Sequence, residues 1–186
     1  VVEWGTVAAA GLAGASTAEM GVTADGWVQG TRDTVLIERR ADRVASIAVV
    51  PAPSATARPV TVLDCSADVD LLVHGSGWLG ALARTAAVVV VVTRASGTGL
   101  RRLEAAISGL GADRVHAVVV GAPKRWPRPL EQALGAHGRQ LRTSGRLTGV
   151  PHDPKLAADG ITTDPLSAAL LGAVAPVLDS LRGTFR

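Results

Sequence analysis

The sequence predicts an α/β protein. The expected architecture is a three-layer, doubly wound and mostly parallel β-sheet flanked by helices, in a single domain over residues 1–186. Three observations predict it. Five consecutive valines fill 88–92, a β-branched run apolar on both faces, as a central parallel strand requires. Apolar residues make up 47 % of the chain but aromatics only 3 %, with no Tyr and Phe185 the one Phe. The core must therefore be built from Val, Leu, Ile and Ala. Finally, the strand-like runs alternate with segments of helical periodicity, the order that crossover connections produce.

The strongest strand is 87–93 (AVVVVVT), followed by 60–64 (VTVLD) and 116–120 (HAVVV). Weaker runs lie at 34–37 (TVLI), 46–50 (SIAVV) and 6–10 (TVAAA). A helix is expected over 97–110, where Leu100, Leu103, Ile107 and Leu110 recur every three or four residues. Gly109 and Gly111 supply its stop signals. A second is expected over 129–143 on Leu130, Leu134 and Leu141, weakened by Gly135 and Gly138. The last spans 165–181, with Asp164 as cap, Pro165 at its first position and a kink at Pro176. Residues 52–59 (APSATARP) read as a loop, and no internal repeat is evident.

Composition limits the function classes. Cys65 is alone, so neither an intrachain disulfide nor a cysteine metal cluster is expected, which fits a cytoplasmic protein. The longest apolar run, 86–92, is too short to span a bilayer, and no signal-peptide pattern is present. The chain opens on Val1 rather than Met, leaving room for preceding residues. Arg far outnumbers Lys, whose only members are Lys124 and Lys155, a bias that fits a GC-rich bacterial genome. His74, His116, His137 and His152 are scattered without metal-ligand spacing. Asp64, Asp68 and Asp70 with His74 read either as an acid/base set or as a solvated turn. The net charge of +3 does not by itself imply nucleic acid. The densest basic stretch is Lys124-Arg125-Trp126-Pro127-Arg128, in which Lys124, Arg125 and Arg128 are candidates for nonspecific DNA contact; a solvated charged face is the alternative.

The segment Gly11-Leu12-Ala13-Gly14-Ala15-Ser16-Thr17 carries the main functional signal. It follows a strand-like run and precedes 18–28, read as a helix interrupted by Gly21 and Gly26. Small residues there let backbone N–H groups approach a phosphate, and a helix N-terminus favours an anion. A small-residue turn is the plain alternative. Three later segments stand in a telling order: TVLIERRAD from Thr34, with Glu38 at the strand end; VTVLDCS from Val60, with Asp64; and GVPHDPKL from Gly149.

Together these resemble the deviant Walker A loop, acidic strand ends and late Ile-Pro-x-Asp segment of the MinD/ParA family of P-loop ATPases. The resemblance covers most of the chain, and it implies ATP or ADP with Mg²⁺ as ligands. It places Gly11, Gly14, Ala15, Ser16 and Thr17 at the phosphates, Pro151 and Asp153 near the base, and Ser16 and Asp64 at the metal. It also implies a homodimer or a protein partner. The chain departs from the pattern in both lysines: Ala10 stands for the signature lysine and Ala15 for the phosphate-gripping one. Gly121-Ala122-Pro123 replaces an adenine-contacting Asn. The lost lysine normally neutralises charge that develops on the phosphates. The implied function is thus a degenerate nucleotide-binding protein, acting as a positioning, partition or secretion-associated accessory with weak or no ATP hydrolysis. Two alternatives stand beside it: a slow Mg²⁺-dependent ATPase with Arg39 or Arg40 replacing the lysine, and an interaction module that binds no nucleotide.

Overall fold

Residues 11–17, expected to open a helix, open a β-hairpin instead. The computed structural model describes residues 2–3, 11–40, 49–53, 60–65 and 67–184, and these group into two compact units, Val1–Ala81 with Lys155–Pro165 and Leu82–Pro154 with Leu166–Arg186.

The first unit holds a five-stranded mixed sheet. Its strands are β1 (Val2–Glu3), β2 (Ala18–Val22), β3 (Trp27–Arg32), β4 (Val35–Arg40) and β5 (Leu63–Asp64). They are ordered β2-β3-β4-β1-β5. Strands β2, β3 and β4 form an antiparallel meander, while β1 runs parallel to both β4 and β5. The helix expected at 18–28 is therefore replaced by β2, a turn and the start of β3. The reason is in the glycines. Gly21 (φ 110°) and Gly26 (φ 79°) adopt conformations that a helix excludes and that other residues resist. Thr23 closes the turn: its amide donates to the Trp27 carbonyl (2.8 Å) and its hydroxyl accepts from the Trp27 amide (3.1 Å). The next hairpin is tighter, with Asp33 (φ 51°) as the first of two turn residues.

Directly paired residues share a face, so Trp27 with Arg40 and Gln29 with Glu38 lie together. Trp27, Glu38 and Arg40 are all buried. The Arg40 guanidinium stacks 5.1 Å from the Trp27 ring centroid and donates to the Asp25 carbonyl at 2.6 Å. Gln29 Nε2 donates to Glu38 Oε1 at 2.6 Å. Glu38 is thus an interior residue of a strand that runs on to Arg40, not the terminal acid expected from the sequence. Helix α1 (Val69–His74) is capped by Asp68, whose carboxylate accepts from the Asp70 amide at 3.0 Å. Helix α2 (Trp78–Thr85) buries Leu79, and Trp78 Nε1 donates to the Val50 carbonyl at 2.6 Å.

The second unit contains β6 (Val89–Arg94), α3 (Gly97–Leu110), β7 (Val115–Val120), α4 (Arg128–Ala133), α5 (Ala136–Thr143) and β8 (Leu147–Val150). The three strands form a parallel sheet in the order β6-β7-β8. This is a small parallel sheet with helices packed on it; a doubly wound sheet running through the whole chain is not what the described residues form. Val115, Ala117 and Val119 are fully buried on one face of β7, and Leu100, Leu103 and Ile107 of α3 are equally buried. Ser96 caps α3 by accepting from the Gly99 amide at 3.0 Å, and Gly111 (φ 87°) ends it.

The single helix expected at 129–143 is two helices that break at Leu134–Gly135. A Cβ on Gly135 would collide with the Glu104 carboxyl group. That carboxylate instead accepts from the amides of His137 (2.7 Å) and Gly138 (3.0 Å), opening α5 from a neighbouring helix. Helix α6 (Pro154–Asp159) precedes the last helix, α7 (Ala168–Thr184), which starts after the expected Pro165. Asp164 does not cap it, because its carboxylate accepts from Lys155 Nζ at 3.1 Å; Ser167 takes the capping place. Pro176 does lie inside α7. The strand expected at 6–10 and most of the one at 46–50 fall outside the described residues, as does most of the 52–59 loop. Of the strand expected at 60–64 only β5 forms. Among the described residues, no helix is long and apolar enough to cross a membrane.

Candidate functional site

The glycine segment forms a 3-10 turn at Gly11–Ala15 that leads into β2. Gly14 and Thr17 are exposed at its surface. A Cβ on Gly14 would fall well inside contact distance of the Ile161 carbonyl oxygen, so the bare face of Gly14 is occupied by backbone. Ala15 is buried. Thr17 is engaged twice by one acceptor: its amide donates to the Thr31 carbonyl at 2.8 Å and its hydroxyl donates there at 3.0 Å. The Ser16 hydroxyl is buried against Gly30 and has no hydrogen-bond partner. Because a strand follows the turn, no helix dipole points at it. The segment 161–163 is held close by Arg32, which donates to the carbonyls of Thr162 (3.1 Å) and Thr163 (2.9 Å).

The structure does not bring Ser16 and Asp64 together. Ala18 pairs with Thr31, which pairs with Leu36 near the N-terminal end of β4. Asp64 pairs with Glu3, level with Arg39 near the C-terminal end of β4. The two residues belong to opposite edges of the sheet and opposite ends of its strands. Four strand steps separate the edges, roughly 19 Å along the sheet at the usual spacing. Asp64 is exposed. Arg39 pairs with Glu19 at 3.0 Å, and Arg40 is the buried partner of Trp27. Among the described residues, no three His, Cys, Asp or Glu side chains group as a metal site.

Pro151 and Asp153 belong to the second unit, at the carboxyl end of β8, where parallel sheets commonly bind ligands. Asp153 Oδ2 accepts from the Ser167 hydroxyl at 2.8 Å. The Gly121 and Ala122 amides donate to the Val150 carbonyl at 2.8 and 3.1 Å, so these two amides are already engaged. Lys124, Arg125 and Arg128 are all exposed, in the β7–α4 connection and at the start of α4. Trp126 between them is half-buried beneath Arg142, whose guanidinium lies 4.4 Å from the ring centroid and also meets Glu131 at 2.6 Å.

Charge divides sharply between the units. The second holds thirteen Lys and Arg against five Asp and Glu, a net +8, and the first holds six against eleven, a net −5; together these return the +3 of the chain. Sequence order already shows this division: residues 1–81 hold five basic against nine acidic residues, and residues 82–186 fourteen against seven.

Of the four scattered histidines, His116 is a buried structural one. His116 on β7 is buried, and its Nδ1 lies 3.3 Å from the Ser180 hydroxyl on α7. Ser180 directs its one proton to the Val177 carbonyl at 2.7 Å, so it accepts from His116 and fixes the ring proton on Nδ1. Burial, and then the positive charge of Arg146, hold the His116 pKa below the ordinary histidine value. Both causes favour the uncharged ring, and its contact with Ser180 ties α7 to the sheet. No spacing pattern in the sequence marks such a contact between residues 64 positions apart.

No protein-family model, curated protein or solved structure matches this chain.

Proposed function

We propose that this chain is a degenerate MinD/ParA-like protein that acts as a cytoplasmic positioning, partition or secretion-associated accessory. It works through partner contacts and does not turn ATP over. The family part of the reading rests on the order of the sequence segments around Gly11, Val60 and Gly149, and the absence of turnover on the glycine turn. Gly14 is filled by the Ile161 carbonyl and both Thr17 donors are directed at Thr31, at the place where a working phosphate loop needs open amides. The two lysine positions of the family pattern hold Ala10 and Ala15. Losing one electrostatic contact of that kind costs about 2.7–4 kcal/mol of transition-state stabilisation. The test is phosphate release from millimolar Mg·ATP by the intact chain. The expected result is release no faster than in buffer, with Asp64→Ala indistinguishable from wild type. Mg²⁺-dependent release that disappears in Asp64→Ala would establish the slow ATPase instead.

The charge division favours a second reading, nonspecific contact with DNA through Lys124, Arg125 and Arg128. All three side chains are exposed on the +8 unit. Binding of a mixed-sequence duplex should weaken steeply as salt rises, because phosphate contacts release counterions. Reversing the three charges to Glu should abolish it. Undiminished binding by that variant removes these residues from the interface.

A further inference from the structure

The second unit ends its sheet on an unusual edge. Strand β6 is the outer strand of β6-β7-β8, and no other strand of the described residues pairs with it. Its free side can be assigned from the hydrogen bonds. The Ala95 amide donates to the Val120 carbonyl at 2.9 Å. In a parallel pair, alternate residues turn both peptide groups to the same neighbour. Ala95, Thr93, Val91 and Val89 therefore face β7, and Val92 and Val90 present their N–H and C=O groups to the open edge.

The side chains of those same two residues are also uncovered. Val90 and Val92 pair with His116 and Val118, so they share the sheet face that α7 covers over β7 through Ser180. On β6 that cover ends: Val90 is 39 % exposed and Val92 64 %. Arg94, two residues on, shares the face and is exposed. Natural sheets blunt such edges with Pro, Lys, bulges or short strands. This edge has none of these, and five β-branched valines in a row instead.

We infer that the β6 edge is a docking site for an extended, acidic segment of a partner protein, which adds as a strand. Among the described residues nothing pairs with the peptide groups of Val90 and Val92, and these specify a β-strand, since only an extended backbone matches their spacing. The exposed valines supply two shallow apolar contacts on one face. Charge selects the chemistry: Arg94 stands on the open face, and the unit as a whole carries thirteen basic residues against five acidic ones. The same +8 charge opposes pairing of this edge with its copy in a second chain.

The probe is a short fluorescein-labelled peptide of alternating Val and Thr with glutamates at both ends, titrated with the intact chain and read by anisotropy. A second peptide replaces the glutamates with lysines. The Glu-flanked peptide should bind saturably, at least about tenfold more tightly than the Lys-flanked one. Val92→Pro removes an outward N–H without touching a β6–β7 hydrogen bond, at an edge position that tolerates proline. It should weaken binding about tenfold. Arg94→Glu alters no hydrogen bond of the pair and should invert the preference between the two peptides. Reversing Lys124, Arg125 and Arg128 should leave both affinities in the same order, which separates this site from the DNA reading. Failure of the Glu-flanked peptide to bind, equal binding of both peptides, or indifference to both variants overturns the inference. A wild-type dimer by sedimentation that Val92→Pro converts to monomer also overturns it, and assigns the edge to a second copy.

Discussion

Gly14→Ala should destabilise the first unit by about 1–3 kcal/mol, toward the upper end of what overpacking costs. The position sits in the 3-10 turn at Gly11–Ala15, and its missing side chain is what lets the Ile161 carbonyl approach. That carbonyl is backbone and cannot rotate away as a flexible side chain would. The segment around it is pinned by Arg32 through Thr162 and Thr163. The added methyl must therefore displace either the turn or the 161–163 segment. Trp27 is fully buried in the same unit, so its fluorescence reports the loss directly. The denaturation midpoint should fall with an unchanged slope. A glycine kept for phosphate approach behaves otherwise: alanine there would leave ligand-free stability near wild type and reduce the response to nucleotide.

Glu104→Ala should destabilise the second unit by about 3 kcal/mol. Each of its two oxygens accepts one amide at the start of α5, from His137 and Gly138. Hydrogen bonds to a charged group contribute about 1.5–3 kcal/mol each, and leaving their donors unsatisfied adds to the loss. The helix has no local substitute, since Gly135 at its N-cap carries no side chain. Glu104→Gln should recover only part of the loss, because a carboxamide offers one acceptor oxygen and turns a donor toward the other amide. Amide exchange at His137 and Gly138 should accelerate in step. Unchanged protection of both amides in Glu104→Ala would show that the cap is not what holds α5.

The second unit was the more legible from sequence. The valine run at 87–93 became β6, the periodic segment 97–110 became α3 with the same ends, and 116–120 became β7. These elements are long and strongly patterned, and their burial follows the pattern. What failed was local and short. The segment 18–28 mixes small and polar residues without strong periodicity, and its two glycines permit turns as readily as they weaken helices. Leu130, Leu134 and Leu141 keep helical spacing across Gly135, so two short helices read as one. β8, with sequence LTGV, is too brief and mixed to signal a strand. Asp68, which from sequence fits an acid/base set or a solvated turn, is the cap of α1.

The candidate site was legible only as a set of residues. Asp64 ends a strand as its motif requires, but Ser16 leads into β2 rather than a helix, and the sheet order and register carry the two apart. Pairing order is a nonlocal property that residue spacing does not encode. The division of charge, by contrast, is visible in sequence order, since residues 155–165 carry a net −1 and barely change it.

If the glycine turn serves packing, with Gly14 against the Ile161 carbonyl and Thr17 engaged by Thr31, nucleotide leaves the folded state no more stable. The most direct test is the melting temperature of the intact chain with and without millimolar Mg·ATP. A ligand present at a hundred times its dissociation constant stabilises the folded state by about 2.7 kcal/mol, roughly 5–10 °C for a chain of this size. Coincident melting curves are expected with ATP, with ADP and with neither. A rise of several degrees that requires Mg²⁺ and is lost in Gly14→Ala would contradict that packing role.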